Sequence, residues 1–260
     1  MKLKIIALTE NTTENENFSC EHGLSLYIEN NKHKVLFDTG QTELFALNAE
    51  KLGVNLKDVD VAVISHGHYD HGGGLRKFLE INHKAPVYIS NYAFGDYYNG
   101  TDKYIGLDKG LKCSERLIFT EGFTEIDEEL SLYSCNNAKK LFDLGSFGLN
   151  KFLDGEYLSD DFLHEQYLLI NENDKKILIS GCSHKGILNI VNWFDADVII
   201  GGFHFSKLQL DDTLKKYAMY LNNFKTKFYT CHCTGLEQYE FMKKYMEKLQ
   251  YLSTGKSIII

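Results

Sequence analysis

Apolar residues along this chain fall into short runs separated by polar clusters of Asn, Asp, Glu and Gly. Such runs read as buried strands where turn formers bound them, and apolar positions spaced by three and four read as helices. Residues 3–8 give the first strand, and a polar loop follows over 11–17. Residues 24–28 and 34–37 flank Asn30-Asn31-Lys32, the pattern of two strands joined by a tight turn. Asp38-Thr39-Gly40 ends the second strand. Thr42 then opens a helix that carries Leu44, Phe45, Leu47 and Leu52 and closes at Gly53. Val61-Ala62-Val63-Ile64 is a wholly apolar strand, Leu75, Phe78 and Leu79 mark a helix, and residues 87–90 return as a strand.

From Tyr92 to about Asp161 the pattern weakens, with Gly, Tyr and Phe broken by charge and only a short strand over 130–134. Regular patterning resumes with strands at 166–170 and 176–180 around a turn at Asn173-Asp174. A helix over 187–194, a strand over 197–200, a helix over 214–224, a strand over 228–230 and a last helix over 239–249 complete the series. Alternating strands and helices predict an α/β fold. The whole of 1–260 reads as one domain, with about 92–161 an elaborated, lid-like insertion. Asp58-Val59-Asp60-Val61-Ala62-Val63-Ile64 before His66 is echoed by Asp195-Ala196-Asp197-Val198-Ile199-Ile200 before His204. The echo suggests two similar halves, each delivering histidines from a strand end to a shared cleft.

Composition narrows the function. At 260 residues the chain can bury a sizeable core, and 43% hydrophobic with 25% charged residues is ordinary for a globular protein. The net charge of -8 argues against nucleic acid or an anionic membrane as the main partner, which leaves a small molecule. The apolar start over 1–8 meets Thr9-Glu10-Asn11 before reaching signal-peptide length, and no later run approaches a membrane span. Six cysteines, at 20, 113, 135, 182, 231 and 233, show no framework spacing. Reduced thiols and a cytoplasmic location are therefore expected. Oligomeric state leaves no mark in the sequence.

The chemistry concentrates in His66-Gly67-His68-Tyr69-Asp70-His71, directly behind the apolar strand at 61–64. A lone histidine is usually a surface or hydrogen-bonded core residue. Four metal-ligand residues within six positions at the end of a rigid strand are hard to explain that way. In extended geometry His66 and His68 share a face and can clamp one ion. Gly72-Gly73-Gly74 offers a bend that would swing Asp70 and His71 toward a second.

Further donors follow other strands. Ser180-Gly181-Cys182-Ser183-His184 lies behind the strand at 176–180, and His184 is the expected third histidine of the first ion. Cys182 is packing or, as a thiolate, a ligand. In Cys231-His232-Cys233, alternation sets His232 on one face and both cysteines on the other, so His232 is expected to complete the second site with Asp70 and His71. His204 in Gly201-Gly202-Phe203-His204 lines the site or binds substrate. His164 is a further candidate, and Glu165 either orients a ligand or sits on the surface.

Taken together, Phe37-Asp38-Thr39-Gly40, the motif at 66–71, the segment at Gly181 and His232 resemble the metallo-β-lactamase superfamily over almost the whole chain. The segments at 180–187, 201–204 and 232–235 look like the branch similar to dihydropterin ribofuranosylaminobenzene 5'-phosphate synthase. The resemblance implies a four-layer αβ/βα sandwich holding one or two metals, usually Zn²⁺, with iron or manganese as alternatives. Two departures stand out. Cys182 occupies the place where many members carry a bridging aspartate, and many take the third histidine from an earlier loop, where His164 is the nearest candidate.

The expected activity is hydrolysis of a small-molecule ester, phosphoester, lactone or amide by a zinc-bound hydroxide, with Asp70 as ligand and acceptor for the water. Tyr97, Tyr98, Lys103, Tyr104 and Lys109 could recognise an aromatic or phosphorylated substrate, or simply cover a sheet edge. Two rivals remain. One is an iron-dependent thiol dioxygenase or oxygen reductase on the same fold, although oxygen-reducing relatives typically carry Glu where His68 stands. The other is a non-catalytic metal-binding module.

Overall fold

Most strands of this chain are apolar on both faces, so both faces need cover. The computed structural model describes residues 2–260, which leaves Met1 of the apolar start outside the described residues. β1 (Lys4–Thr9), β2 (Ser25–Glu29) and β3 (Lys34–Phe37) form an antiparallel meander. Next come α1 (Leu44–Lys51), β4 (Val61–Val63), the short helices α2 (Tyr69–Gly72) and α3 (Leu75–Ile81), and β5 (Val87–Ser90). β6 (Asp96–Asn99), β7 (Lys103–Tyr104), β8 (Leu117–Thr120), β9 (Phe123–Glu125), β10 (Leu130–Tyr133), β11 (Leu149–Leu153) and β12 (Glu156–Ser159) follow. The second half runs β13 (Tyr167–Glu172), β14 (Lys175–Ile179), α4 (Ile187–Trp193), β15 (Val198–Gly201), α5 (Asp212–Asn222) and β16 (Lys227–Thr230). α6 (Leu236–Met242), β17 (Leu249–Tyr251) and β18 (Ser257–Ile259) close it.

Two seven-stranded sheets result, ordered β18-β1-β2-β3-β4-β5-β8 and β17-β16-β15-β14-β13-β10-β9. Alternation along each strand sorts side chains between layers. Val61 and Val63 join Ile177 and Ile179 in the core between the sheets. Ala62 and Ile64 face the other way, toward Phe45 of α1 and Leu75 and Phe78 of α3. On the far side, Leu178, Ile199 and Phe228 meet Ile190 of α4, Leu214 of α5 and Met242 of α6. The order is helix, sheet, sheet, helix, the four-layer sandwich expected. Each fully buried aliphatic side chain contributes about 1.5–3 kcal/mol relative to exposure. The two-sheet core is therefore what holds the halves in register.

The strands that carry the candidate chemistry run parallel. β3, β4, β5 and β8 do so in one sheet, and β14, β15, β16 and β17 in the other. Loops leaving the carboxyl ends of parallel strands are where such sheets leave room for ligands. β4 and β15, the echoed strands, each lie inside their sheet between two parallel neighbours. The β13–β14 hairpin turns on Asn173 and Asp174, both at positive φ, as a tight two-residue hairpin requires.

Three differences from the sequence reading have simple causes. The stretch 92–161 is not one unit, since β8 joins the first sheet and β9 and β10 the second. Only β6, β7, β11 and β12 stand apart, as a four-stranded sheet ordered β12-β11-β6-β7. The helix expected over 239–249 ends at Met242, and Leu249 and Tyr251 instead pair as strand residues with Phe228 and Thr230. Ser257–Ile259, too short a run to read, pairs with β1. Among the described residues no helix is long and apolar enough to cross a membrane.

Candidate metal centre

His66 to His71 leave the end of β4 in two steps. The chain stays extended through His68, at φ -103 and ψ 145, and then closes into α2, which carries Asp70 and His71. The glycine bend expected to swing them does not form, because Gly72 ends the helix and Gly73 and Gly74 are helical. These glycines serve close packing: a Cβ on Gly73 would stand 2.2 Å from the Gln41 carbonyl oxygen. His68 also bridges to Gly106, and Tyr69 N–H donates to the Ile105 carbonyl at 2.9 Å, tying the motif to the strand pair of β6 and β7.

Two donor sets converge. In the first, the ligand nitrogens of His66, His68 and His184 lie within 4.8 Å of one another, with His66 Nε2 and His184 Nε2 3.3 Å apart. In the second, His71 Nε2 is 3.2 Å from His232 Nε2, and Asp70 Oδ2 is 3.4 Å from His232 Nε2 and 3.8 Å from His71 Nε2. Cys182 Sγ lies 3.2 Å from His71 Nε2, beside both sets. Two imidazoles on one tetrahedral ion at bond lengths of about 2.1 Å have nitrogens about 3.4 Å apart. The observed spacings therefore fit a shared cation. All seven residues are buried, and His68 Nε2 and His184 Nδ1 have no hydrogen-bond partner.

Groups behind the donors fix their orientation. Asp38, at the end of β3, accepts from His71 Nδ1 at 2.7 Å, from Ser65 Oγ at 2.7 Å and from Ser65 N–H at 2.7 Å. A proton on Nδ1 leaves His71 Nε2 free to ligate. Ser65 Oγ also meets His66 Nδ1 at 2.8 Å. Glu10 accepts from His232 N–H at 3.0 Å, and Asn11 Oδ1 is 2.7 Å from His232 Nδ1. Glu165, left between two roles by the sequence, is buried and accepts from the backbone N–H groups of His184 at 2.6 Å and Lys185 at 3.0 Å.

Burial lowers the pKa of His66, His68 and His184, keeping these imidazoles neutral and able to donate a lone pair. Burial opposes charge on His71 as well, but the Asp38 and Asp70 carboxylates outweigh it and raise its pKa to about 9. Burial would also raise Asp70, yet His71, His22 and His232 hold it well below its usual value.

The charge count points the same way. Glu10, Asp38, Asp70, Asp160 and Glu165 are buried around these histidines, against Lys185 as the one buried lysine or arginine among the described residues. Burial brings Lys185 itself down to about 8. Buried carboxylates that outnumber the fixed cations around them are costly in a low-dielectric interior, even when hydrogen-bonded. A bound cation is the natural compensation.

The other sequence candidates divide. His164 is buried with both nitrogens engaged, Nδ1 accepting from Gly67 N–H at 3.0 Å and Nε2 lying 3.1 Å from Asp160 Oδ2. His204 packs against His184 in a tilted arrangement at 4.3 Å between ring centroids, with Nδ1 buried and unpartnered. Cys231 and Cys233 do not share a face as expected. A single 3-10 turn over His232–Thr234 rotates Cys233 toward Cys182, while Cys231 stays in the core between the sheets. His22 and Glu10 were missed, and Asp38 was noted only as a strand end and within the resemblance, without a role. His22 Nε2 is 3.2 Å from Asp70 Oδ2 at the rim, and its position in a polar loop carried no signal, whereas the Asp38-Thr39 strand end could have been read as a support.

Among the donors, His68, Asp70, Cys182, His184 and His232 line a cavity of about 180 Å³, together with Asn99, Lys103, Ile105, Leu149, Ser206 and Lys207. A larger, mostly apolar cavity of about 420 Å³ lies beside β6 and β11 but is lined by no histidine or cysteine. The smaller one is where chemistry can occur.

Residues 19–220 match the sequence model of the metallo-beta-lactamase superfamily. An uncharacterized protein of Methanocaldococcus jannaschii, MJ0448, is 31% identical over 90% of this chain and 91% of its own. The 7,8-dihydropterin-6-methyl-4-(beta-D-ribofuranosyl)-aminobenzene-5'-phosphate synthase of the same organism is 30% identical over 98% of this chain and 96% of its own. The crystal structure of Tm1679, described as a metal-dependent hydrolase of the beta-lactamase superfamily, superposes with a TM-score of 0.83 at 31% identity, covering 99% of each chain.

Proposed function

Because the chain belongs to the metallo-β-lactamase superfamily, we propose that it is a metal-dependent hydrolase of a small anionic ester, phosphoester, lactone or amide. The observation that carries this reading is the meeting of two donor sets, amid five buried carboxylates, at the floor of an open cavity. His66, His68 and His184 would hold one cation, and Asp70, His71 and His232 a second, with Cys182 at their common edge. The mixed nitrogen, oxygen and sulfur donors suit Zn²⁺, with iron or manganese as alternatives. Bound there, such ions supply Lewis acidity that makes water a nucleophile at neutral pH.

The chain's own residues do the rest. Asp70 Oδ2, held by His22 and His232, accepts a hydrogen bond from the attacking water and fixes its direction. Lys103 and Lys207 both line the cavity, their ammonium groups donating to the Tyr69 hydroxyl at 3.3 Å and the Phe147 carbonyl at 2.8 Å, and neither has a carboxylate within ion-pair distance among the described residues. They attract an anionic group of the substrate and hold its reactive bond over the floor. The strand pair of β6 and β7 covers one side and limits water access. With all six cysteines unpaired, the protein suits a reducing compartment such as the cytoplasm.

His66→Ala and Asp70→Ala should each abolish hydrolysis of a generic phosphodiester or lactone probe while the circular dichroism spectrum is kept. Unchanged turnover in both would overturn the reading. A second reading comes from the relative named a synthase. On that reading the same centre activates an acceptor other than water, and product analysis with an added amine or carbon acceptor would separate the two.

A further inference from the structure

Cys233 belongs to neither donor set above, yet the fold goes to some length to place it. Its ligand sulfur, that of Cys182 and a ring nitrogen of His204 all lie within 4.8 Å of one another. The 3-10 turn over His232–Thr234, entered with His232 at φ 49, turns Cys233 away from the core that keeps Cys231. Gly202 makes room for it, since a Cβ there would stand 2.3 Å from Cys233 Sγ. The loops that carry the three donors are tied together. Gly202 N–H donates to the Gly181 carbonyl at 2.8 Å, and Phe203 N–H donates to Thr234 Oγ1 at 2.8 Å. His204 is itself held at φ 56, and its buried Nδ1 has no partner. Phe147 packs edge-on against its ring at 5.1 Å.

We infer that Cys182, His204 and Cys233 form a further, thiolate-rich site for one soft divalent cation of the zinc class, which shares Cys182 with the edge of the histidine sets. Two sulfurs and an imidazole are the donors such an ion prefers, and all three residues line the cavity, which leaves a coordination position open to it. The thiols release their protons to solvent as the ion binds, so a doubly charged cation enters with two thiolates and adds no net charge to the interior. Cys182, 3.2 Å from His71 Nε2, connects this site to the histidine sets. The inference stands on geometry apart from the hydrolase reading.

The test loads the metal-free full-length protein with Co²⁺ and follows the near-ultraviolet thiolate-to-cobalt band together with bound cobalt per chain. Cys233→Ser should lose most of the band and bind one ion fewer, while Cys231→Ser should match the wild type. A full band and unchanged stoichiometry in Cys233→Ser would refute the site. Crystals of the wild-type protein grown with Zn²⁺ guard against a variant that fails to fold. Their anomalous map should show a peak within about 2.3 Å of both sulfurs. Peaks at the histidine sets alone would refute this site and leave the hydrolase reading standing, whereas no peak at either would sink both.

Discussion

Asp38 touches no cavity, yet its replacement by Asn should be among the most damaging single-atom changes to metal binding. The carboxylate accepts a hydrogen bond from His71 Nδ1 and two from Ser65, and Ser65 Oγ in turn meets His66 Nδ1. In Asp38→Asn the shape is kept and one oxygen can still serve the Ser65 N–H. The new amide N–H₂ faces His71 Nδ1, a donor against a donor. His71 relieves that conflict by moving its proton to Nε2, the atom that has to ligate. Losing a support of this kind costs about 10–100-fold in metal affinity, or about 1.4–2.8 kcal/mol. Because one carboxylate orders a ligand in each donor set, the upper part of that range is expected. Competition against a chromophoric chelator, with circular dichroism as the folding control, measures it. A well-folded variant that binds within about twofold of wild type would show that the carboxylate does not set the His71 tautomer.

Other outcomes follow from the same geometry. Gly181→Ala would drive a Cβ to 2.2 Å from Ser65 Oγ and 3.1 Å from His66 Nδ1, so it should destabilise the fold by about 1–3 kcal/mol and lower bound metal together. Urea titration and metal analysis check this, and loss of neither would mean the two loops slide apart freely. Stripping metal with a chelator should lower Tm by about 5–10 °C relative to protein with free ion at about 100 times Kd, given about 2.7 kcal/mol of binding linkage. Calorimetry that shows the same Tm in both conditions would contradict a cation held by the folded state. Lys103→Ala and Lys207→Ala should raise KM for anionic substrates far more than they lower kcat, and should spare neutral ones. An equal effect on both substrate types would remove the lysines from recognition.

Much of the site was legible because its donors sit behind the most strongly patterned strands. Val61 to Ile64 announced β4, and the donors at 66–71 followed it. The same logic pointed to His184 behind β14 and His232 behind β16, and the fold brings both beside the donors at 66–71. What stayed hidden depends on rotation and distance. The turn at His232–Thr234 separates Cys231 from Cys233, and alternation along an assumed strand cannot foresee it. Glu10 and His22 come from a polar stretch with no period, and only the folded chain brings Glu10 to the backbone of His232. The edge strands β8 and β9 were absorbed into an apparent insertion, because Ile118, Phe119 and Phe123 are exposed and break the usual alternation.

The buried carboxylates about the cleft would set how the protein behaves once a bound ion is removed. Each half contributes like charges across one seam, Asp38 and Asp70 from one side and Asp160 and Glu165 from the other. Removal of a cation bound there would leave that charge to favour opening along the seam, while the apolar layers behind it would stay closed. Such a molecule would breathe at its mouth, exchange amide protons there first, and be cut by proteases in the 65–72 segment with its short helix and in the 181–186 loop before its sheets melt. Metal supply would thus govern how long the protein survives as well as whether it reacts.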